Sequence, residues 1–107
     1  MHPNAQLDLT TELVRRVLTL IHPADREVSD FFREHRALGA RDRHVLAETA
    51  FRVLRQRLVL QHLAQSGSGA LPRRLAILAW QGSDSFLRAA LSESEREWLQ
   101  QVQQVDV

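Results

Sequence analysis

The 107-residue sequence predicts an all-α protein, a compact bundle of about six helices. Three observations lead to this prediction. Apolar residues recur at helical spacing through most of the chain. No stretch alternates apolar and polar residues with the β-branched enrichment of a strand. Hydrophobic residues make up 44% of the chain and charged residues 25%, the balance of an ordinary folded protein. We therefore expect residues 1–107 to form a single domain.

The first helix is expected to begin at Thr10 or Thr11, because threonine is a favourable N-cap residue. Residues 1–9 are then an N-terminal tail. The helix would end before Pro23, since the residue that precedes a proline is disfavoured in the helical conformation. Its core-facing stripe comprises Leu13, Val14, Val17, Leu18 and Ile21.

The second helix is expected to run from about Ala24 to Ala37, opened by Pro23. Gly39 follows where a left-handed C-cap would stand. The buried stripe of this helix would consist of Val28, Phe31, Phe32 and His35.

Residues 41–65 contain neither proline nor glycine, so they form one long helix or two nearly continuous ones. In a straight helix, Arg57 would fall on the apolar arc that contains Leu46, Ala50 and Val53. We therefore expect a change of direction near residues 55–56.

The C-terminal part begins with a flexible linker at residues 66–70, rich in glycine and serine, which would join two helical halves. A helix from Leu71 and a short helical turn at residues 86–91 follow. Ser92 and Glu95 have the spacing of a capping box for a last helix that reaches about Gln104. Trp80 and Trp98 are interpreted as core anchors, because each lies among leucines.

Charge is unevenly distributed, although the formal net charge is only +1. Every basic residue apart from histidine is arginine. Residues 41–74 hold seven arginines against two acids, whereas residues 75–107 hold two arginines against five acids. The planar guanidinium pairs with phosphates and stacks on bases, which favours nucleic acid as a partner. A GC-rich genome would produce the same arginine preference.

Arg41, Arg52 and Arg55 fall within about 60° of one another around the helix axis, on an arc that differs from the apolar one. We predict that this exposed face contacts RNA phosphates. The alternative is a merely solvated face on which Glu48 pairs with Arg52. Arg57, Arg73 and Arg74 complete the predicted RNA-binding set.

Arg73 and Arg74 lie in the first turn of a helix, where the helix dipole disfavours cations. A bound phosphate would relieve this conflict; long side chains that extend into water are the alternative. Gly39, Asp42 and Arg43 are assigned a structural role at the helix junction. Asp42 would stabilise the helix N-terminus, and Arg43 would form a partly buried ion pair with a neighbouring helix.

Several function classes lack the residues that they need. The absence of cysteine excludes disulfides, thiolate metal sites and thiol nucleophiles. The five histidines show no zinc-binding pattern, and no nucleophile elbow, P-loop or dinucleotide motif occurs. We expect no metal, no catalytic residue and no membrane segment, and a cytoplasmic location.

One segment carries a recognisable signature, LG-x-RDR-x-x-[IVL]-A-E. It reads Leu38-Gly39-Ala40-Arg41-Asp42-Arg43-His44-Val45-Leu46-Ala47-Glu48. This segment resembles the NusB-like N-terminal RNA-binding domain of RsmB (Sun/Fmu) type small-subunit rRNA cytosine-C5 methyltransferases. Residues from about 10 to 65 follow the family order.

The resemblance implies a NusB-like bundle that places ribosomal RNA before a separate catalytic domain, which binds S-adenosylmethionine. That methyltransferase domain is absent from these 107 residues, so the segment itself would be neither catalytic nor cofactor-binding. Its expected partners are ribosomal RNA and its own C-terminal methyltransferase domain. The family often has glycine where Phe51-Arg52 lies here, and the region after Leu71 is shorter than usual.

Two other functions remain open at this stage. A protein-interaction bundle would dock on its own methyltransferase domain or on a ribosomal or antitermination partner, and would show an exposed apolar patch. A DNA-binding helix-turn-helix is suggested by the turn at residues 38–40 before an arginine-rich helix. The lack of Asn or Gln in the first turn of that helix argues against it.

Overall fold

The described residues, 1–67 and 69–103, of the computed structural model form seven α-helices and no strand. This confirms the all-α prediction. In chain order the helices are α1 (Pro3–Leu18), α2 (Ala24–Glu34), α3 (Ala40–Arg55), α4 (Arg57–Ala64), α5 (Leu71–Leu78), α6 (Asp84–Ala90) and α7 (Glu93–Gln103).

Helix α1 lies at the centre of the bundle and packs against α2, α3, α5 and α6. A helix with neighbours on several sides buries more than one narrow stripe, and α1 buries polar as well as apolar side chains. The buried residues of α1 are Gln6, Leu7, Thr10, Leu13, Val14 and Val17.

The N-terminal tail expected at residues 1–9 is wrong, because α1 already begins at Pro3. The Nδ1 atom of His2 accepts a hydrogen bond from the Asn4 N–H at 3.2 Å, and Pro3 supplies a backbone angle suited to the first helical position. Burial of Leu7 extends the apolar stripe by a further turn. Thr10 is an interior residue whose hydroxyl donates to the Gln6 carbonyl at 2.7 Å, not an N-cap.

Helix α2 begins at Ala24, as predicted, but ends at Glu34, before the expected Ala37. His35 leaves the helical conformation, with φ −120° and ψ 61°, and its ring lies 4.3 Å from the Phe31 ring. Phe31 is fully buried. The Arg16 guanidinium lies 5.5 Å from the Phe31 ring centre and forms ion pairs with Glu27 and Glu34, which attach α2 to α1.

Gly39 does not adopt the left-handed conformation that the sequence suggested. It is the N-cap of α3, with φ −75° and ψ 172°, values that any residue adopts. The reversal between α2 and α3 is already made at residues 35–38, where the Leu38 N–H donates to the His35 carbonyl at 3.2 Å. Among the described residues, positive φ angles occur at Leu20 (57°) and Gly69 (90°).

The predicted change of direction near residues 55–56 is confirmed. Helix α3 ends at Arg55, Gln56 has φ −115° and ψ 27°, and α4 begins at Arg57. The Arg52 Nε atom donates to Oε1 of Gln56 at 3.0 Å across the break. The new direction of α4 buries Leu60 and Ala64.

The predicted linker at residues 66–70 does not separate two helical halves. Helix α5 packs against both α1 and α4, so elements before and after the linker share one core. Ser66 accepts a hydrogen bond from Trp98 Nε1 at 3.0 Å, and the Gly67 N–H donates to the Ala64 carbonyl at 3.1 Å. Ser68 lies outside the described residues. The radius of gyration, 13.2 Å, is that of a single domain of this length.

The capping box that opens α7 is confirmed. The Glu95 N–H donates to the Ser92 hydroxyl at 3.2 Å, and the Ser92 N–H donates to Oε1 of Glu95 at 2.9 Å. Helix α7 is described to Gln103, and its expected end at Gln104 lies outside the described residues. Trp80 is buried and Trp98 partly buried, and both pack on the core.

Candidate nucleic-acid interface

The exposed face of α3 carries three of the predicted RNA-binding residues. Arg41 and Arg55 are exposed and Arg52 is partly exposed. At about 1.5 Å rise per residue, Arg41 and Arg55 lie roughly 21 Å apart along the helix. Within residues 1–67 and 69–103, none of the three arginines has a carboxylate partner, and Glu48 does not pair with Arg52. This face therefore presents positive charge to solvent.

Arg57 occupies the first turn of α4, just beyond the break in the helix. Its side chain is partly buried and forms no hydrogen bond or ion pair with another described residue. Because the helix axis changes direction at Gln56, Arg57 does not continue the face of α3 in register. We treat it as an edge residue of that face.

Arg73 is held by two carboxylates, Glu95 and Asp8, which leave it less available for the predicted contact with RNA. Its Nε and Nη2 atoms donate to the two carboxylate oxygens of Glu95 at 2.7 and 3.1 Å, and Nη1 donates to Asp8 at 3.3 Å. The hydrogen bonds with Glu95 raise the pKa of Arg73 and lower the pKa of Glu95. The negative charge of Glu95 thus relieves the conflict between Arg73 and the helix dipole.

Arg74 also forms hydrogen bonds within the bundle. Its Nη1 atom donates to the Ala64 carbonyl and, at 3.4 Å, to the Gly67 carbonyl, at the C-terminal end of α4. A cation is favourable there, because the last carbonyls of a helix carry partial negative charge. The Nε atom is buried and has no hydrogen-bond partner in the described part of the chain. We therefore remove Arg73 and Arg74 from the candidate RNA surface.

The junction residues are arranged differently from the expected ion pair. Arg43 donates from Nε to the Leu38 carbonyl at 2.9 Å, and its guanidinium lies 5.6 Å from the centre of the Phe32 ring. Asp42, in the first turn of α3, accepts a hydrogen bond from Gln6 Nε2 at 2.8 Å. Arg43 therefore joins α3 to the preceding turn and to α2, and Asp42 joins α3 to α1.

A groove of about 690 Å³ lies beside the arginine face of α3. One wall comes from α3 and α4, and the other from the end of α5, from α6 and from α7. Arg52 on one wall and Arg88 on the other bring two guanidinium groups to the same groove. Aliphatic residues contribute most of the remaining lining, namely Val59, Leu60, Leu63, Ile77, Leu78, Leu87, Leu99 and Val102.

Sequence reasoning missed Arg88. It is exposed, lies in the last turn of α6 and reaches the groove that Arg52 lines. Ser83 caps this short helix, and the sequence does not indicate that the helix brings Arg88 to the groove lined by Arg52. Proximity between Arg52 and Arg88 depends on the packing of the bundle, and no local pattern reports it.

We also searched the described residues for groups that could bind a metal ion and for helices that could span a membrane. Among the described residues, no cluster of three or more His, Asp or Glu side chains is placed to hold a metal ion. In residues 1–67 and 69–103, no helix is both long and apolar enough to cross a bilayer. Comparison with protein-family models, with curated proteins and with solved structures found no match to this chain.

Proposed function

We propose that this chain is a non-catalytic RNA-binding module. The observation that carries the proposal is the exposed face of α3, on which Arg41, Arg52 and Arg55 have no carboxylate partner among the described residues. Arg57 lies at one edge of this face and Arg88 lies across the groove. We call these five residues the arginine surface.

The arginine surface suits an RNA backbone for two physical reasons. A span of roughly 21 Å on one rigid helix is long enough to meet several successive phosphates. Guanidinium groups bind phosphate oxygens through two parallel donors, and they also stack on unpaired bases. The ion pairs of Arg15, Arg16, Arg33 and Arg73 leave those four side chains less available to an anionic partner.

The resemblance of the segment around Arg41 to the methyltransferase signature supports a more specific setting. We propose that the module belongs to an S-adenosylmethionine-dependent rRNA cytosine-C5 methyltransferase and places small-subunit RNA on it. C5 methylation requires a thiolate that attacks the pyrimidine ring, and this chain has no cysteine. The chemistry would therefore reside in a separate catalytic domain, which would also hold the cofactor.

The experiment is a salt series of binding to a small-subunit RNA fragment, to single-stranded RNA and to duplex DNA. We expect preference for RNA and a steep loss of affinity with salt. The Arg52→Ala, Arg55→Ala double variant should lower the slope of log K against log salt by about 1.4 for two lost single-strand contacts.

The matched control removes the same charge from another face. Arg26 and Arg33 are exposed on α2, so the Arg26→Ala, Arg33→Ala variant loses two arginines as well. It should retain nearly the parental slope. If the slope falls equally in the two double variants, net charge and not the arginine surface would explain the effect. The absence of RNA binding at low salt would overturn the proposal.

A protein-interaction bundle is the second candidate, favoured by exposed apolar residues. Leu20 and Ile21, at the turn between α1 and α2, are 61% and 75% exposed. Apolar residues exposed together often mark a docking surface. A bundle that docks on the catalytic domain of the parent enzyme would lose that association in an Ile21→Asp variant. Replacement of residues of the arginine surface would leave the association unchanged.

A further inference from the structure

The groove beside α3 differs in chemistry from a surface that only binds phosphates. Eight of its fourteen lining residues are aliphatic and lie among charged and amide side chains, and Trp80 contributes little exposed ring because it is 9% exposed. Modules that hold single-stranded RNA stack its bases on aromatic rings. A lining that combines aliphatic and charged side chains is instead suited to an amphipathic helix, which is apolar on one face and charged at the edges of that face.

The apolar surface continues out of the groove along α4. Val59 lines the groove and is 46% exposed, and the neighbouring Leu58 is 79% exposed. Because the helix breaks at Gln56, the first wall is not one straight helix: Arg52 lies in the last turn of α3, and Val59 and Leu63 lie one turn apart on α4. Apolar side chains one turn apart on a helical partner match the spacing of Val59 and Leu63.

The charged residues that line the groove indicate the charge of the partner. Among residues 1–67 and 69–103, Arg52 and Arg88 line the groove together with one carboxylate, Asp84. A second cavity, of about 490 Å³, adjoins the groove through Arg88 and Leu99 and adds Arg96. In this part of the chain, three arginines against one acid give a local excess of positive charge, which complements carboxylates that flank an apolar stripe.

We propose that this groove docks an acidic amphipathic helix of a partner protein. Leucine-type side chains of the partner would pack on Val59, Leu63 and Leu99, and its flanking carboxylates would meet Arg52, Arg88 and Arg96. The groove shares Arg52 and Arg88 with the arginine surface, but its apolar contacts Val59 and Leu99 take no part in that surface, so binding of a peptide is tested without RNA.

The test titrates the full chain against a fluorescein-labelled helical peptide of about 14 residues with a leucine stripe flanked by glutamates. The first comparison peptide carries lysines in place of the glutamates. The second has the same composition as the acidic peptide, but its leucines are distributed around the helix. We expect saturable binding of the acidic stripe peptide, at least about tenfold tighter than either comparison peptide.

Two variants locate the binding. Val59→Asp adds a charge at a half-exposed position and should weaken binding of the acidic peptide by tenfold or more, with the fold checked by circular dichroism. Arg88→Glu should weaken the acidic peptide and strengthen the lysine peptide, a charge swap that loss of folding cannot produce. Arg15→Glu, on α1 and away from the groove, is the matched control and should change neither.

Three outcomes would overturn the proposal. In the first, the peptide with distributed leucines binds as tightly as the stripe peptide. In the second, Arg88→Glu does not change the preference for the acidic peptide over the lysine peptide. In the third, Val59→Asp weakens binding of single-stranded RNA while the acidic peptide never saturates, which would make the groove part of an RNA site. Loss of RNA binding in the Arg52→Ala, Arg55→Ala variant leaves the Val59 and Arg88 results interpretable, so failures of the two proposals are distinguishable.

Discussion

Arg73 and Glu95 form a two-bond ion pair that fastens the start of α5 to the start of α7. Nε of Arg73 lies 2.7 Å from Oε2 of Glu95, and Nη2 lies 3.1 Å from Oε1. The same Oε1 atom also accepts the Ser92 N–H of the capping box. One carboxylate therefore stabilises two helix N-termini, and α7 is positioned by a polar contact as well as by Trp98 and Leu99.

A double-mutant cycle should reveal this coupling. Arg73→Ala and Glu95→Ala should each lower the free energy of unfolding by about 1–3 kcal/mol, because a partly buried charged hydrogen bond is lost. The double variant should cost about 1–2 kcal/mol less than the sum of the two. Urea unfolding of the two single variants and of the double variant gives the three free energies. The exposed Arg15–Glu12 pair is the control cycle, and its coupling should be much smaller, because solvent screens an exposed ion pair. Additive costs at Arg73 and Glu95 would contradict the geometry.

RNA affinity provides a second readout for the same side chain. Because Arg73 is bound to Glu95 and Asp8, its replacement should leave the salt dependence of RNA binding unchanged under conditions in which the variant is folded. The Arg41→Ala variant, which removes an exposed arginine of α3, should reduce the slope by about 0.7. A reduction for Arg73→Ala equal to that for Arg41→Ala would return Arg73 to the RNA surface.

The Arg73–Glu95 pair also predicts a pH dependence of stability. Hydrogen bonding to Arg73 holds the pKa of Glu95 below its usual value of about 4.3. A carboxyl group with a lowered folded-state pKa contributes stability that is fully present above the unfolded pKa. That contribution is lost as the pH falls through the folded-state pKa. Wild type should therefore lose more stability than Glu95→Gln between pH 6 and pH 3, measured by urea midpoints. Parallel curves would contradict this.

Close packing around Gly67 makes it a sensitive position. A Cβ atom there would lie 2.7 Å from Cδ of Arg74 and 2.8 Å from Cε2 of Trp98. Both neighbours are themselves hydrogen-bonded, so neither moves away freely. Gly67→Ala should lower the free energy of unfolding by about 1–3 kcal/mol.

Gly39→Ala is the matched control for Gly67→Ala. Nothing lies within 4 Å of a Cβ atom at Gly39, and its backbone angles suit any residue. Its cost should stay within about 0.5 kcal/mol in the same thermal or urea melts. Equal costs at the two glycines would show that chain flexibility rather than contact with Arg74 and Trp98 determines the effect.

Local signals predicted the fold well. The apolar spacing located most of the helices. A straight helix would have placed Arg57 on the apolar arc, which predicted the break at Gln56. The spacing of Ser92 and Glu95 predicted a capping box. Each of these signals is contained in a few adjacent residues. The N-terminal turn of α1 was missed because burial of Gln6 and Leu7 depends on neighbours distant in sequence.

The candidate site was predicted less completely, for the same physical reason. Periodicity placed Arg41, Arg52 and Arg55 on one face of α3, since that relationship lies within a single helix. Whether an arginine faces solvent or a carboxylate depends on which helices meet. Arg73 finds Glu95 across the bundle, and Arg88 reaches the groove of Arg52, and neither contact has a signature in the local sequence.

Thr49 links α3 to the connection between α5 and α6, and it offers a sharp comparison with Thr10. Both side chains are fully buried. The Thr49 hydroxyl accepts the Gln81 N–H at 3.1 Å, whereas the Thr10 hydroxyl donates to the Gln6 carbonyl of its own helix. Thr49→Val should cost about 1–3 kcal/mol, because a partly buried N–H of another segment loses its acceptor.

Thr10→Val makes the same chemical change but should cost less. A helix carbonyl retains its backbone hydrogen bond when a threonine four residues later loses its hydroxyl. Chemical denaturation of the two valine variants gives the comparison directly, and hydrogen exchange at the Gln81 amide reports the lost acceptor. If Thr10→Val proves as costly as Thr49→Val, the Gln81 hydrogen bond would not account for the cost at Thr49, and the connection at residues 79–83 would be held to α3 by packing alone.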